Sequence, residues 1–447
     1  MHLHSEKSKA LIKDVDVHLT SENITSETLR GDIWLQSIQG ERNQLFRKLV
    51  KGGAFIDNDT LDQFVNGMID RIVESNVLTQ KKRKILILNS PDVNAFCYGP
   101  GLFVVTVGLL GKINLEEEFA FILAHEIAHD ELHHIERKLK REMMLRFSKN
   151  SDNVKKQTSA ASYEDLIVDV RSVLHKKSSF NRECEFNADS LALVYSNNAG
   201  YSVQGAIAAM TTLDRATEPK QRVDNFFRPL QFSNFPFKNY WLDNRLSVYS
   251  HRPADTFFFA YDSLLSHPEI EIRKTKFVTQ IENFEVEHNE HRFDVLLKMA
   301  VQLAEFQTVE AAYQTRQYDI ALFQILQLQK AYPANPYLVS RSAKLMMDLF
   351  DAKNENTITD YVAKHTSNYG QQLKEVNNLL YNISKEEAIE IAFHIVNNQS
   401  NFNRTERSHY YLLWQICRLT QRDQVKKRIE QAYESKFGNR VESYTYR

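Results

Sequence analysis

The chain has 447 residues, more than one hydrophobic core ordinarily organises, so two or three domains are expected. Its 56 basic and 57 acidic residues leave a formal charge of −1, which argues against a polyanion-binding role such as nucleic-acid recognition. With 43% hydrophobic residues and only 13 glycines and 9 prolines, the composition suits a helix-rich globular protein and excludes a disordered chain.

Residues 1–51 are polar and mixed, and read as loosely attached helix. The opening Met1-His2-Leu3-His4 has no apolar run of the signal-peptide kind. The longest apolar stretches, around residues 102–110 and 119–124, are too short to span a bilayer. A soluble protein without a transmembrane segment is expected, cytoplasmic if Met1 is the native start and periplasmic or otherwise exported if a leader has been lost. Cys97, Cys184 and Cys417 lie too far apart for a CxxC pair or a structural zinc ribbon.

Residues 60–75 predict a helix, with Leu61, Phe64, Val65, Met68, Ile69 and Ile72 on one face. Residues 84–88 and 103–110 read as strands, with Gly99-Pro100-Gly101 as the turn between them. A helix then starts at Asn114 as N-cap, with Glu117 completing a capping-box-like pair and acidic residues 116–118 complementing the helix dipole. It should run through His125 and His129 to about residue 140. Residues 141–179 read as an insertion or lid with a short helix at 163–174. Helices are expected at 182–196 and 203–215, followed by an aromatic-rich surface loop over 218–243.

Beyond about residue 287 glycine nearly vanishes and helical periodicity dominates. Tyr318, Ala321 and Pro333 have the spacing of the latter half of a tetratricopeptide repeat, without a clear second copy. The domains are therefore expected at 1–55 (N-terminal helical or flexible), 56–286 (catalytic) and 287–447 (all-helical and repeat-like). The fold class is mainly α with a small β-sheet.

The chemistry centres on His125-Glu126-Ile127-Ala128-His129. On a helix, residues i and i+4 share a face, so both imidazoles can reach one ion. Zinc accepts neutral imidazole nitrogen and keeps a position open for water in catalytic sites. Glu126 would sit beside that water as general base. The apolar run before the motif buries this helix, and a buried His-Glu-x-x-His without a partner would be costly. The third ligand is sought downstream, in Arg182-Glu183-Cys184-Glu185-Phe186-Asn187-Ala188-Asp189. Glu185 and Asp189 share a helix face, so Glu185 can coordinate while Asp189 fixes the tautomer of a ligand histidine. Glu183 competes for the ligand role but has no acid at position 187 to support it. The bland alternative is an exposed acidic helix face.

These segments resemble metallopeptidase family forty-eight, the gluzincins that include the CAAX prenyl proteases, the heat-shock membrane protease and soluble periplasmic protease-chaperones. The resemblance covers roughly residues 61–276. It rests on His125–His129 with His134, on Arg182 with Glu185-Phe186-Asn187-Ala188-Asp189, on Asn94-Ala95-Phe96 before residues 103–110, and on Ser266-His267-Pro268 followed by Arg273.

The resemblance implies a zincin-like domain with one zinc ion on His125, His129 and Glu185, Glu126 as base and Asp189 as partner of a ligand histidine. It also implies that residues 103–110 form the active-site edge strand, with Asn94, Phe103, Val104 and Val105 binding extended substrate. His267 and Arg273 would lie near the cleft, His267 donating to the oxyanion or capping the zinc; a helix-start packing motif is the alternative for that pair. Asn181 and His133 depart from the family pattern without touching these ligands. The expected function is a zinc-dependent metalloendopeptidase of unfolded or misassembled protein, with a protein partner on the C-terminal helices. The rival expectations are a chaperone-like or partner-binding protein with latent proteolysis, and a non-proteolytic zinc hydrolase.

Overall fold

The computed structural model describes residues 11–13, 15–16, 18, 24–79, 82–148, 179–216, 218, 224–244, 270–282, 284, 294–363, 369–398 and 402–445, with backbone alone at 145–148 and 179–182. The expected helix at 163–174, and His267, lie outside these residues. The fold is mainly α with a small sheet. It divides into two compact units, Met1–Ala216 with Phe257–Glu305, and Thr217–Thr256 with Phe306–Arg447. Among the described residues no helix is long and apolar enough to cross a membrane.

In the first unit, helix α1 (Leu29–Lys51) is not loosely attached. Thr28 caps it by accepting from the Gly31 N–H, and Leu35, Phe46 and Val50 are buried. Phe46 and Val50 pack on a sheet face made by Leu86, Leu88, Phe96, Tyr98, Leu102 and Val104. Such sparse apolar anchors leave little periodic signal in the sequence. Helix α2 (Asp59–Glu74) is capped by Asn58 and buries the six residues expected of it.

The sheet holds β1 (Lys84–Leu88), β2 (Ala95–Gly99) and β3 (Leu102–Thr106) in the order β1-β3-β2, with β1 parallel and β2 antiparallel to β3. Strand β2 was not expected, and the Gly99-Pro100-Gly101 turn joins β2 to β3 rather than β1 to β3. The strand expected over 103–110 also stops early. At its end the Thr106 hydroxyl accepts from the Leu109 N–H, and residues Val107–Leu110 form a single helical turn, α3. Gly108 is required there, because a Cβ would lie 2.1 Å from the Pro91 carbonyl oxygen.

Helix α4 (Glu116–Glu131) carries the His-Glu-x-x-His motif and is buried from Glu118 through Ala128. Its start differs from expectation. Leu115 is the N-cap, without a side-chain hydrogen bond, and Glu118 rather than Glu117 reaches back to accept from the Asn114 N–H at 2.9 Å. The helix also does not continue to residue 140. His133 adopts φ 52°, and α5 (His134–Ser148) begins after it. A left-handed non-glycine residue breaks the helical ladder and redirects the chain. Helices α6 (Ser179–Asn198) and α7 (Gly205–Asp214) pack on α4, and α8 (Ile270–Ile281) packs on α6 and α7.

Helix α9 (Asp294–Gln314) runs from the first unit into the second. The second unit continues with α10 (Tyr318–Ala331), α11 (Pro336–Asn354), α12 (Gln371–Asn382), α13 (Lys385–Asn397), α14 (Arg407–Leu419) and α15 (Asp423–Phe437). Tyr318 and Ala321 are buried on α10, Asn335 caps α11, and Ser384 with Glu387 forms a reciprocal capping box on α13. The expected division at residue 286/287 does not coincide with the observed one. Residues 224–244 are not a surface loop of the catalytic domain: Phe226, Phe227, Leu230 and fully buried Trp241 join the core of the helical unit, with Leu322, Met346, Leu379 and Ala392. Burial of these large aromatic surfaces fixes the segment there.

Candidate metal centre

His125 and His129 project from one face of α4, with His125 fully buried, and their Nε2 atoms lie 2.9 Å apart. Glu185, on α6, places Oε2 3.4 Å from His125 Nε2 and Oε1 3.6 Å from His129 Nε2. One ligand atom from each residue falls within a span of 4.8 Å. Tetrahedral zinc with bonds near 2.0–2.1 Å would set ligand separations of about 3.3–3.4 Å. The nitrogen–oxygen distances lie at or just beyond this value, and the nitrogen–nitrogen distance is shorter, at hydrogen-bond length. Two imidazoles and one carboxylate are donors that suit zinc, so the residues fit the ion. Glu183 is exposed while Glu185 and Asp189 are buried.

Behind the ligands, Asp189 Oδ1 lies 3.0 Å from His125 Nδ1. Arg273 holds the same carboxylate through two hydrogen bonds, Nε to Oδ2 at 2.8 Å and Nη2 to Oδ1 at 2.6 Å. Burial raises the Asp189 pKa, but the Arg273 guanidinium and hydrogen bonds from His125 and Arg273 outweigh it and hold the carboxyl below its ordinary value. An ionised Asp189 favours a proton on His125 Nδ1 and a lone pair on Nε2. Arg273 was expected at the cleft. It is instead 1% exposed, behind Asp189, with Nη1 3.9 Å from Glu185 Oε2. It orients Asp189, behind the candidate ligands.

His129 has a different neighbour: its Nδ1 lies 2.9 Å from His134 Nδ1. Burial, then the Arg137 charge, pushes the His134 pKa down to about 4.

Glu126 accepts the Cys97 backbone N–H at 2.9 Å through Oε2, which joins the base to β2. The edge-strand expectation for residues 103–110 requires correction. Phe103, Val104 and Val105 pair with β1 on one side and β2 on the other, so β3 is central. Asn94 is buried, its backbone N–H donating to Thr106 Oγ1. Since Phe55 bridges Leu88 beyond β1, β2 is the outer strand on the side of Glu126 among the described residues. Its sequence, Ala-Phe-Cys-Tyr-Gly, is too short for alternation to separate it from a loop.

Two further residues escaped the sequence reading. Asp130, next to His129, accepts the Gly101 N–H at 3.0 Å and Arg83 Nη1 at 3.2 Å, while Arg83 Nη2 reaches Glu131 at 2.5 Å. Burial raises the Asp130 pKa to about 6, against the opposing pull of Arg83 and the Gly101 N–H. Gly101 has φ +66°, and its carbonyl accepts from the Lys84 N–H at 2.8 Å. The β2–β3 turn is thereby tied to the end of α4. Adjacent acids after the second histidine were the available signal, without a way to see their partner.

Histidines one helical turn apart, an acid between them and a carboxylate from a second helix form the donor pattern of a metallopeptidase site. Residues 57–277 match the model of peptidase family M48. Over 121 residues the chain is 27% identical to the mitochondrial metalloendopeptidase OMA1 of Arabidopsis thaliana, a stretch that covers 26% of this chain and 23% of that protein.

Proposed function

We propose that this metallopeptidase is a zinc-dependent endopeptidase that cleaves extended segments of unfolded or misassembled protein. The observation that carries the reading is the convergence of His125, His129 and Glu185, with Glu126 bonded to the outer strand of the sheet. Zinc bound by these three residues supplies Lewis acidity toward water and the scissile carbonyl. Glu126 takes the proton of the attacking water and passes it to the leaving amine. Asp189 keeps His125 in the tautomer that leaves Nε2 for the ion. Substrate lies extended along β2, where strand addition uses main-chain hydrogen bonds and therefore tolerates many sequences. His267, outside the described residues, is assigned as donor to the oxyanion. The C-terminal helices are assigned to a protein partner. The test is digestion of casein by the full-length chain. Cleavage inside the polypeptide, abolished by a chelator and restored by zinc, is expected; chelator-resistant cleavage, or release of terminal residues alone, contradicts the reading.

A further inference from the structure

The two candidate ligand histidines are supported differently. His125 has the carboxylate of Asp189 3.0 Å from its Nδ1. At His129 the neighbour is a second imidazole: its Nδ1 faces His134 Nδ1 at 2.9 Å, with the two rings edge-on at 76°. The helix break at His133 sets up this pairing. With φ 52° at His133, α4 ends and His134 becomes the first residue of α5, 5% exposed.

Two ring nitrogens at that distance share one proton, since two N–H groups would repel and two lone pairs would not attract. If His129 gives its Nε2 lone pair to a metal, its proton must stand on Nδ1. His134 Nδ1 must then be the acceptor, and the proton of His134 must stand on Nε2. The opposite arrangement puts the proton on His129 Nε2 and blocks coordination. We propose that His134 is a positioning residue for the metal: it accepts the His129 Nδ1–H bond and so fixes the tautomer and ring orientation of that ligand. It fills with a neutral ring the place that Asp189 fills with a charge. Glu126, Glu185 and Asp189 already crowd the site with carboxylates. A neutral acceptor orients His129 without adding another negative charge to a buried pocket.

The inference rests on the zinc reading, and the test separates the two. Zinc dissociation constants are measured for full-length protein by competition with a chromophoric chelator, alongside melting of the zinc-free forms. His134→Phe keeps a buried ring but no acceptor, and should weaken zinc binding about 10–100-fold. His134→Gln offers an amide oxygen and should recover much of that loss. A role in packing alone would lower the melting temperature and leave zinc affinity unchanged, which overturns the proposal, as does equal weakening by both variants. Should His134→Phe fail to fold, proton–nitrogen correlation spectra of histidine-labelled wild type with zinc decide. His134 protonated on Nε2 supports the proposal, and protonation on Nδ1 overturns it. Wild-type protein that binds no zinc refutes the metal reading itself, and this inference with it.

Discussion

Arg273 grips Asp189 in a two-point fork, 2.8 Å at Nε and 2.6 Å at Nη2, and the same carboxylate stands 3.0 Å from His125 Nδ1. The pair joins α8 to α6 and α6 to the motif helix. Removing the guanidinium leaves a buried carboxylate uncompensated, which typically costs about 3–5 kcal/mol. Arg273→Met should therefore destabilise the protein strongly, and the double variant Arg273→Met with Asp189→Asn should destabilise it less. Denaturant unfolding of the three proteins checks this. A double variant no more stable than Arg273→Met would contradict the charge-pair account.

Glu126 is bonded to β2 but contributes no ligand atom to the His-His-Glu group. Glu126→Gln should keep the zinc content of wild type while kcat falls by about 10²–10⁴, the usual contribution of a general base. Undiminished casein digestion by this variant would remove Glu126 from that role.

Asp130 and Arg83 tie the β2–β3 turn to the helix that carries both histidines. If β2 receives the substrate backbone, loosening this turn should weaken substrate binding more than chemistry. Losing hydrogen bonds to a charged group is worth about 1.5–3 kcal/mol, so Asp130→Ala should raise KM for an extended peptide about tenfold or more, with kcat changed less. A variant with kcat reduced and KM unchanged would show that the tie serves the motif helix rather than the strand.

In the helical unit, Lys353 donates to the Tyr381 carbonyl at 3.0 Å, and burial lowers its pKa from 10.5 to about 8, against the opposing pull of Glu387. Between those two values the unfolded chain binds more protons than the folded one, so stability rises with pH across that window. Below about pH 8 the ammonium is charged in both states and its desolvation cost is fully present, about 3 kcal/mol at most. Lys353→Met should therefore melt above wild type at pH 7.5, and the gap should narrow as pH approaches 10. A gap that stays constant would contradict this.

The sequence made the candidate His-His-Glu group legible because helical spacing places His125 with His129, and Glu185 with Asp189, on shared faces. It made α2 and β1 legible because their apolar residues are dense and regular. It could not show β2, whose five residues fall between helix and strand signals. Consequently β3 was given the edge position that β2 holds. The helix break at His133 was also hidden, since a left-handed histidine carries none of the usual glycine signal. Arg273 and the 224–244 segment were misplaced for a common reason. Each is positioned by partners distant in sequence, Asp189 in one case and the helical core around Leu322 and Leu379 in the other.

Residues from two helices, α4 and α6, are proposed to hold one metal ion together. The most direct test is elemental analysis of zinc in dialysed full-length protein, compared with Glu185→Ala and His129→Ala. One zinc per chain is expected in wild type and near none in either variant. Full zinc occupancy in Glu185→Ala, or none in wild type supplied with the metal, would contradict this assignment.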